Sequence, residues 1–173
     1  MTTVSTQLRT TTTALRASPL DVGSVSSRHV VETDLSWPDG SGTSQADEVW
    51  SDSRSLPAGN ETHDLNSLTQ LDADGNTVRA AISFDNVKRL VIKNTLTAGA
   101  AGILTVGGGG VAPFEGSGTP FEAAGSTTDV VAGGEMVWTS PVGGVCTALV
   151  KDLLITAAGA TVTYDILVIG DAT

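Results

Sequence analysis

The residues able to do chemistry are few. His29 and His63 are the only imidazoles and Cys146 the only thiol. If residues 61 to 65 form a strand, Glu61 and His63 share a face, and His29 from another segment would complete a zinc triad. No closely spaced His/Cys set accompanies them, so a surface histidine on a polar edge is the stronger reading of His63. Asp72, Asp74 and Asn76 are spaced like calcium ligands. The glycine falls at Gly75, before the third of them, and no glutamate follows at the right distance, which favours a tight Asp-Gly turn. The run Gly107 to Gly110 lacks the Lys-Ser/Thr and helix start of a phosphate loop and reads as pliable.

One cysteine excludes an internal disulfide, and Val145, Thr147, Ala148 and Leu149 around Cys146 suggest a small buried residue. No Gly-x-Ser-x-Gly occurs, and nothing pairs a nucleophile with a base. The expectation is a chain that is not an enzyme and has no cofactor and no metal. Asn60-Glu61-Thr62 matches a glycosylation acceptor, which without a secretion signal reads as chance. The tryptophans Trp37, Trp50 and Trp138 can stack on sugars or bury in a core or interface. Trp138 alternates with Met136 as a core-facing pair would. Trp37, beside Pro38 in a polar linker, is the candidate anchor into another chain.

The elements that must position these groups are strands. The chain of 173 residues is 40% hydrophobic but only 16% charged, rich in small residues and poor in helix formers, a mixture suited to β-structure and assembly. Its net charge of −10 argues against nucleic acid as the partner. No apolar leader or membrane-length run is present, so no membrane partner is expected, and synthesis and folding are placed in the cytoplasm. The densest β-pattern is C-terminal. Leu153 to Thr156 and Thr161 to Ile169 read as a hairpin about Ala157-Ala158-Gly159. In its second arm Val162, Tyr164, Ile166 and Val168 share a face, and Leu167 and Ile169 make the other face apolar at the end. Such a strand belongs in the middle of a covered sheet.

Residues 1 to about 24, with Arg9 and Arg16 and no acid before Asp21, read as an arm, disordered alone or draped over a neighbour. Residues 28 to 35 suggest a short strand ending at the Trp37-Pro38-Asp39-Gly40 turn. From Asp47 onward, 48 to 56 and 61 to 65 read as a hairpin, 66 to 71 is ambiguous, and 78 to 84 alternates. Phe84 to Arg89 suggests one helical turn, and Leu90 to Asn94 a strand. Residues 99 to 106 and 111 to 114 flank the glycine run, 128 to 131 and 135 to 139 suggest a further hairpin, and 145 to 149 a last short strand. Eight to ten short strands without a fixed-period repeat predict an all-β, antiparallel, jelly-roll-like sandwich over residues 47–173, preceded by an extended N-terminal arm and linker over 1–46.

Several stretches together carry a family resemblance: Val49-Trp50-x-Asp52-x-Arg54-x-Leu56-x-Ala58-Gly59; Asp64-Leu65; the Asp-Gly-Asn turn; Phe84-x-x-Val87-Lys88-x-Leu90-x-Ile92-Lys93-Asn94; Leu104-x-Val106-Gly107-Gly108; and Val162-Thr163-Tyr164-Asp165-Ile166-x-Val168-Ile169-Gly170. Over about residues 47 to 170 the chain resembles small virion structural proteins of tailed bacteriophages, of the capsid decoration (cement) kind. It departs from the pattern at Gly133-Gly134-Glu135, where a Pro-Gly-Gly turn would stand. The resemblance implies a virion protein on the capsid exterior that binds the major capsid protein and other copies of itself, as a homotrimer by analogy, and stabilises the head. Arg9, Arg16 and Trp37 are the expected capsid or intersubunit contacts. The alternatives are a tail or head-fibre adhesin for host glycans and a neck-associated structural protein.

Overall fold

The computed structural model describes residues 6–20, 23–71, 77–97, 100–107 and 111–172. Twelve strands and no helix occur among them: β1 (Thr6–Leu20), β2 (Gly23–Trp37), β3 (Glu48–Leu56), β4 (Gly59–Asp64), β5 (Leu68–Leu71), β6 (Thr77–Ile82), β7 (Asn86–Asn94), β8 (Ile103–Gly107), β9 (Thr127–Val131), β10 (Glu135–Val145), β11 (Asp152–Ala158) and β12 (Val162–Asp171). Two antiparallel four-stranded sheets form a sandwich. The first has the order β10-β7-β12-β3 and the second β4-β11-β8-β9. Two ribbons, β1-β2 and β5-β6, make separate two-stranded sheets.

The core lies between the sheets because apolar residues alternate on their facing sides. Trp50, Leu90, Ile92, Val162, Tyr164, Ile166 and Val168 from the first sheet meet Leu104, Val106, Val130, Leu153 and Ile155 from the second in one buried cluster. Met136 and Trp138 pack at its margin as a pair, and Cys146 is buried in it. As its pattern requires, β12 is central, flanked by β3 and β7. Burial pushes the Cys146 thiol up to about 12, so it stays protonated.

Three expected hairpins do not exist. The arms β11 and β12 lie in different sheets, β11 between β4 and β8, β12 between β7 and β3. The same holds for β3 with β4 and for β9 with β10. In each case the small-residue turn carries the chain across the sandwich, because each strand finds its partners far away in sequence. The expected helical turn at 84 to 89 is replaced by buried Phe84 and the start of β7, whose residues pair with both β10 and β12. Residues 111 to 114 and 145 to 149 add only isolated bridges and the end of β10. The ambiguous 66 to 71 supplies β5, paired with β6.

The N-terminal segment, read as an arm disordered alone or draped over a neighbour with one short strand at 28 to 35, carries more strand than that. Two 15-residue strands pair in continuous register from Thr6 opposite Trp37 to Leu20 opposite Gly23. Threonine and valine suit extended backbone even where apolar content is low. The Asp72-Asp74-Asn76 loop and Gly108 to Gly110 lie outside the described residues.

Candidate interaction face and the polar clusters around it

Register lays out the outer face of the first sheet as rows across its strands. Glu135, Lys93, Asp165 and Ser53 are direct cross-strand neighbours. The next row is Val137, Val91, Leu167 and Ser51, and the next Thr139, Arg89, Ile169 and Val49. The last row is covered, and the cover reaches Leu167 of the row before it. Trp37 and Ala46 close over Ile169, with Val49 and Leu167 against them. Beyond that cover the face is open and concave, a depression of about 770 Å³ with Val91 and Leu167 on its floor and Gln70 on its rim. Val137 is half exposed.

The covering segment is clamped electrostatically. Lys88 has no partner residue in either flanking ladder, so it is bulged out of β7. Its ammonium reaches Asp171 Oδ2 at 2.5 Å and donates to the carbonyls of Gly42 (2.7 Å) and Gln45 (2.5 Å). Both members of the ion pair are buried. Asn86 Nδ2 donates to the other Asp171 oxygen at 2.8 Å. Across the bulge, Gly170 is obligatory: a Cβ there would lie 2.1 Å from the Asn86 carbonyl oxygen. Arg89 donates to Thr139 Oγ1 at 3.0 Å, and burial lowers its pKa against the opposing pull of Glu135.

Behind the sheet, at the β3/β4 edge, sits a second polar cluster. Tyr164 Oη donates to Glu61 Oε1 at 2.5 Å and therefore accepts from His63 Nε2 at 2.8 Å, which fixes the Nε2–H tautomer. The chain of bonds joins β4 of one sheet to β12 of the other. The Trp50 ring lies 5.5 Å from the His63 ring, and the Asp52–Arg54 ion pair (2.8 Å) is close by. Burial lowers the His63 pKa, with Glu61 opposing, and burial with the Glu61 hydrogen bond raises that of Tyr164. A recess of about 260 Å³, lined by Trp50, Arg54, His63 and Asp64 among others, opens beside them.

Glu61 and His63 thus share a face, as alternation predicts, but His63 is a buried core residue and not a surface one. Its partner is Tyr164, 101 residues away, which spacing does not reveal. His29 lies in β2 opposite Ala14, and no group of three or more His, Cys, Asp or Glu able to hold a metal occurs among the described residues. Arg9 and Arg16 lie in β1, opposite Asp34 and Ser27. Trp37, expected to anchor into another chain, is 3% exposed and anchors its own ribbon and linker to the sandwich, since Ile169 gives it an apolar seat. Arg79, unmarked in the sequence, grips Glu48 with two bonds of 2.5 Å and ties β6 to β3.

No helix is long and apolar enough to cross a membrane among the described residues. No family model, curated protein or solved structure matches the chain.

Proposed function

We propose that the chain is a structural protein of a tailed-phage virion, a decoration protein that binds the outer capsid shell and stabilises the head through contacts between subunits. The observation that carries this reading is the β1-β2 ribbon. Two 15-residue strands form a sheet of their own, joined to no strand of the sandwich. A two-stranded ribbon is marginal in water by itself. With no third strand on either edge, it suits contacts with other chains in an assembly.

The strand order gives a second support. Numbering only the eight sandwich strands, the two sheets interleave as in a double Greek key, the jelly-roll arrangement that viral capsid domains use. Fold alone does not assign function. The sequence resemblance over residues 47 to 170 supplies the class, and the buried ionisable groups agree with a structural role. Lys88 and Asp171 hold the linker, and His63, Tyr164 and Glu61 bridge the sheets. The adhesin alternative gains less, because Trp37 and Trp50 are buried and Trp138 packs against the core, leaving no open tryptophan platform for a sugar.

The mechanism is mass action. A protein that binds only the assembled shell stabilises it by its binding free energy, and linked copies gain through effective concentration. Co-sedimentation with assembled shells and with free capsid subunits tests the reading. Saturable binding to shells, weak binding to free subunits and a raised shell melting temperature are expected. Failure to bind shells would overturn it.

A further inference from the structure

Lys88 and Asp171 meet as an amine and a carboxyl group as well as opposite charges. We propose that they condense into an intramolecular amide, a covalent cross-link between β7 and β12 beneath the linker.

The carboxyl group is asymmetric. Asp171 Oδ1 accepts from Asn86 Nδ2 at 2.8 Å, whereas Oδ2 accepts no hydrogen bond, although Lys88 Nζ stands 2.5 Å from it. Nζ donates instead to the carbonyls of Gly42 and Gln45. A neutral amine has two N–H groups and one lone pair. Two carbonyls therefore take both hydrogens and leave the lone pair for the third neighbour, the Asp171 carboxyl.

The site is also dry, the two side chains being 1% and 3% exposed. In water an amine and a carboxylic acid ionise and do not condense. Burial disfavours separated charge, so moving one proton from Nζ to Oδ2 gives a neutral amine beside a neutral acid, the reactive pair. Lys151 and Asp64 are the contrast. They too are in direct contact, but through a hydrogen bond and with side chains 27% and 34% exposed, so water keeps that pair ionic.

The fold holds the reactants in place. The bulge that takes Lys88 out of both ladders sends it under the linker. Gly143 lies against its stem, where a Cβ would come 3.2 Å from Lys88 Cγ, and Gly170 lets β12 approach Asn86 beside Asp171. Two groups kept in contact react as one molecule and need no encounter. In the step, the Nζ lone pair attacks Cγ of the protonated carboxyl, and negative charge develops on Oδ1, where the Asn86 amide already donates. The C–N bond forms, the Oδ2 hydroxyl takes one proton from nitrogen, and the C–Oδ2 bond breaks to release water. No oxidant, reductant or activated donor is consumed. The amide keeps one N–H for the linker carbonyls.

Intact mass and tryptic mapping of the purified full chain test the proposal. The chain is expected to weigh one water less than its sequence. Trypsin should pass over the blocked Lys88 and yield a branched peptide of residues 80–89 joined to 152–173. Lys88→Arg keeps the charge but cannot form this amide, so it should show the full mass and, freed of the closed loop, a lower melting temperature. The branched peptide is read in the parent chain, so the result stands even where the variant fails to fold. A full-mass parent cleaved normally after Lys88 would overturn the proposal. So would a water deficit that survives in Lys88→Arg, the mark of a cyclised Asp-Gly step such as Asp39-Gly40. The cross-link goes beyond the decoration reading and is independent of it, since shell binding is read separately by co-sedimentation.

Discussion

The His63 imidazole donates through Nε2 to the Tyr164 hydroxyl at 2.8 Å, and that hydroxyl in turn donates to Glu61, so one phenol joins the two sheets. Removing it leaves a buried ring N–H unsatisfied and a carboxylate short of a donor. Tyr164→Phe should therefore destabilise the sandwich by about 1–3 kcal/mol, the cost of stranding buried polar groups, although it preserves ring volume. Urea unfolding with an unchanged slope would register it.

The same cluster sets a pH window. The folded pKa of His63 lies below its ordinary value of 6.5 because burial disfavours the imidazolium. Its contribution to stability is present above the unfolded pKa and is lost as pH falls from there toward the folded one. Tyr164 and Cys146 are raised by burial, so theirs is present below their ordinary values of 10.0 and 9.0 and is lost as pH rises beyond them. Thermal melts should be flat near neutrality and fall on both sides. His63→Gln should flatten the fall between about pH 7 and pH 5, where an imidazole titrates.

Lys88 predicts a larger effect. Lys88→Met strands Asp171 as an uncompensated buried carboxylate and should cost about 3–5 kcal/mol, whereas adding Asp171→Leu should recover much of the loss. The double variant isolates the charge from the packing. Urea unfolding of both variants against the parent supplies the comparison.

Trp37→Ala acts locally. The seat on Ile169 involves few residues, so the linker should detach while the main core holds. Amide exchange at Ala46, bonded to the Pro38 carbonyl, and at Asp47, bonded to that of Gly170, should accelerate strongly. Amides in the centre of β12 should change little.

Much of this was legible from alternation. Glu48 to Leu56 reads as β3 to the residue, and the two-sided burial of β12 near Ile169 predicts a central strand. Partner choice was not legible. A turn such as Ala158-Gly159 looks the same whether the chain returns beside itself or crosses to the facing sheet, because turn chemistry is local and pairing is not. The threonine run of β1 hid a strand for a different reason: its β-propensity comes with too little apolar content to signal burial. His63 read as a surface residue because its partner is distant, and Lys88 fell in the expected helical turn at 84 to 89 because nothing local shows that β7 already starts at Asn86 and bulges to turn this lysine under the linker.

The central claim is decoration of the shell, and cryo-electron microscopy of the virion tests it most directly. The account predicts symmetric density on the outer capsid that fits the sandwich and bridges neighbouring capsid subunits. Density confined to the tail or neck, or none on the shell, would contradict it.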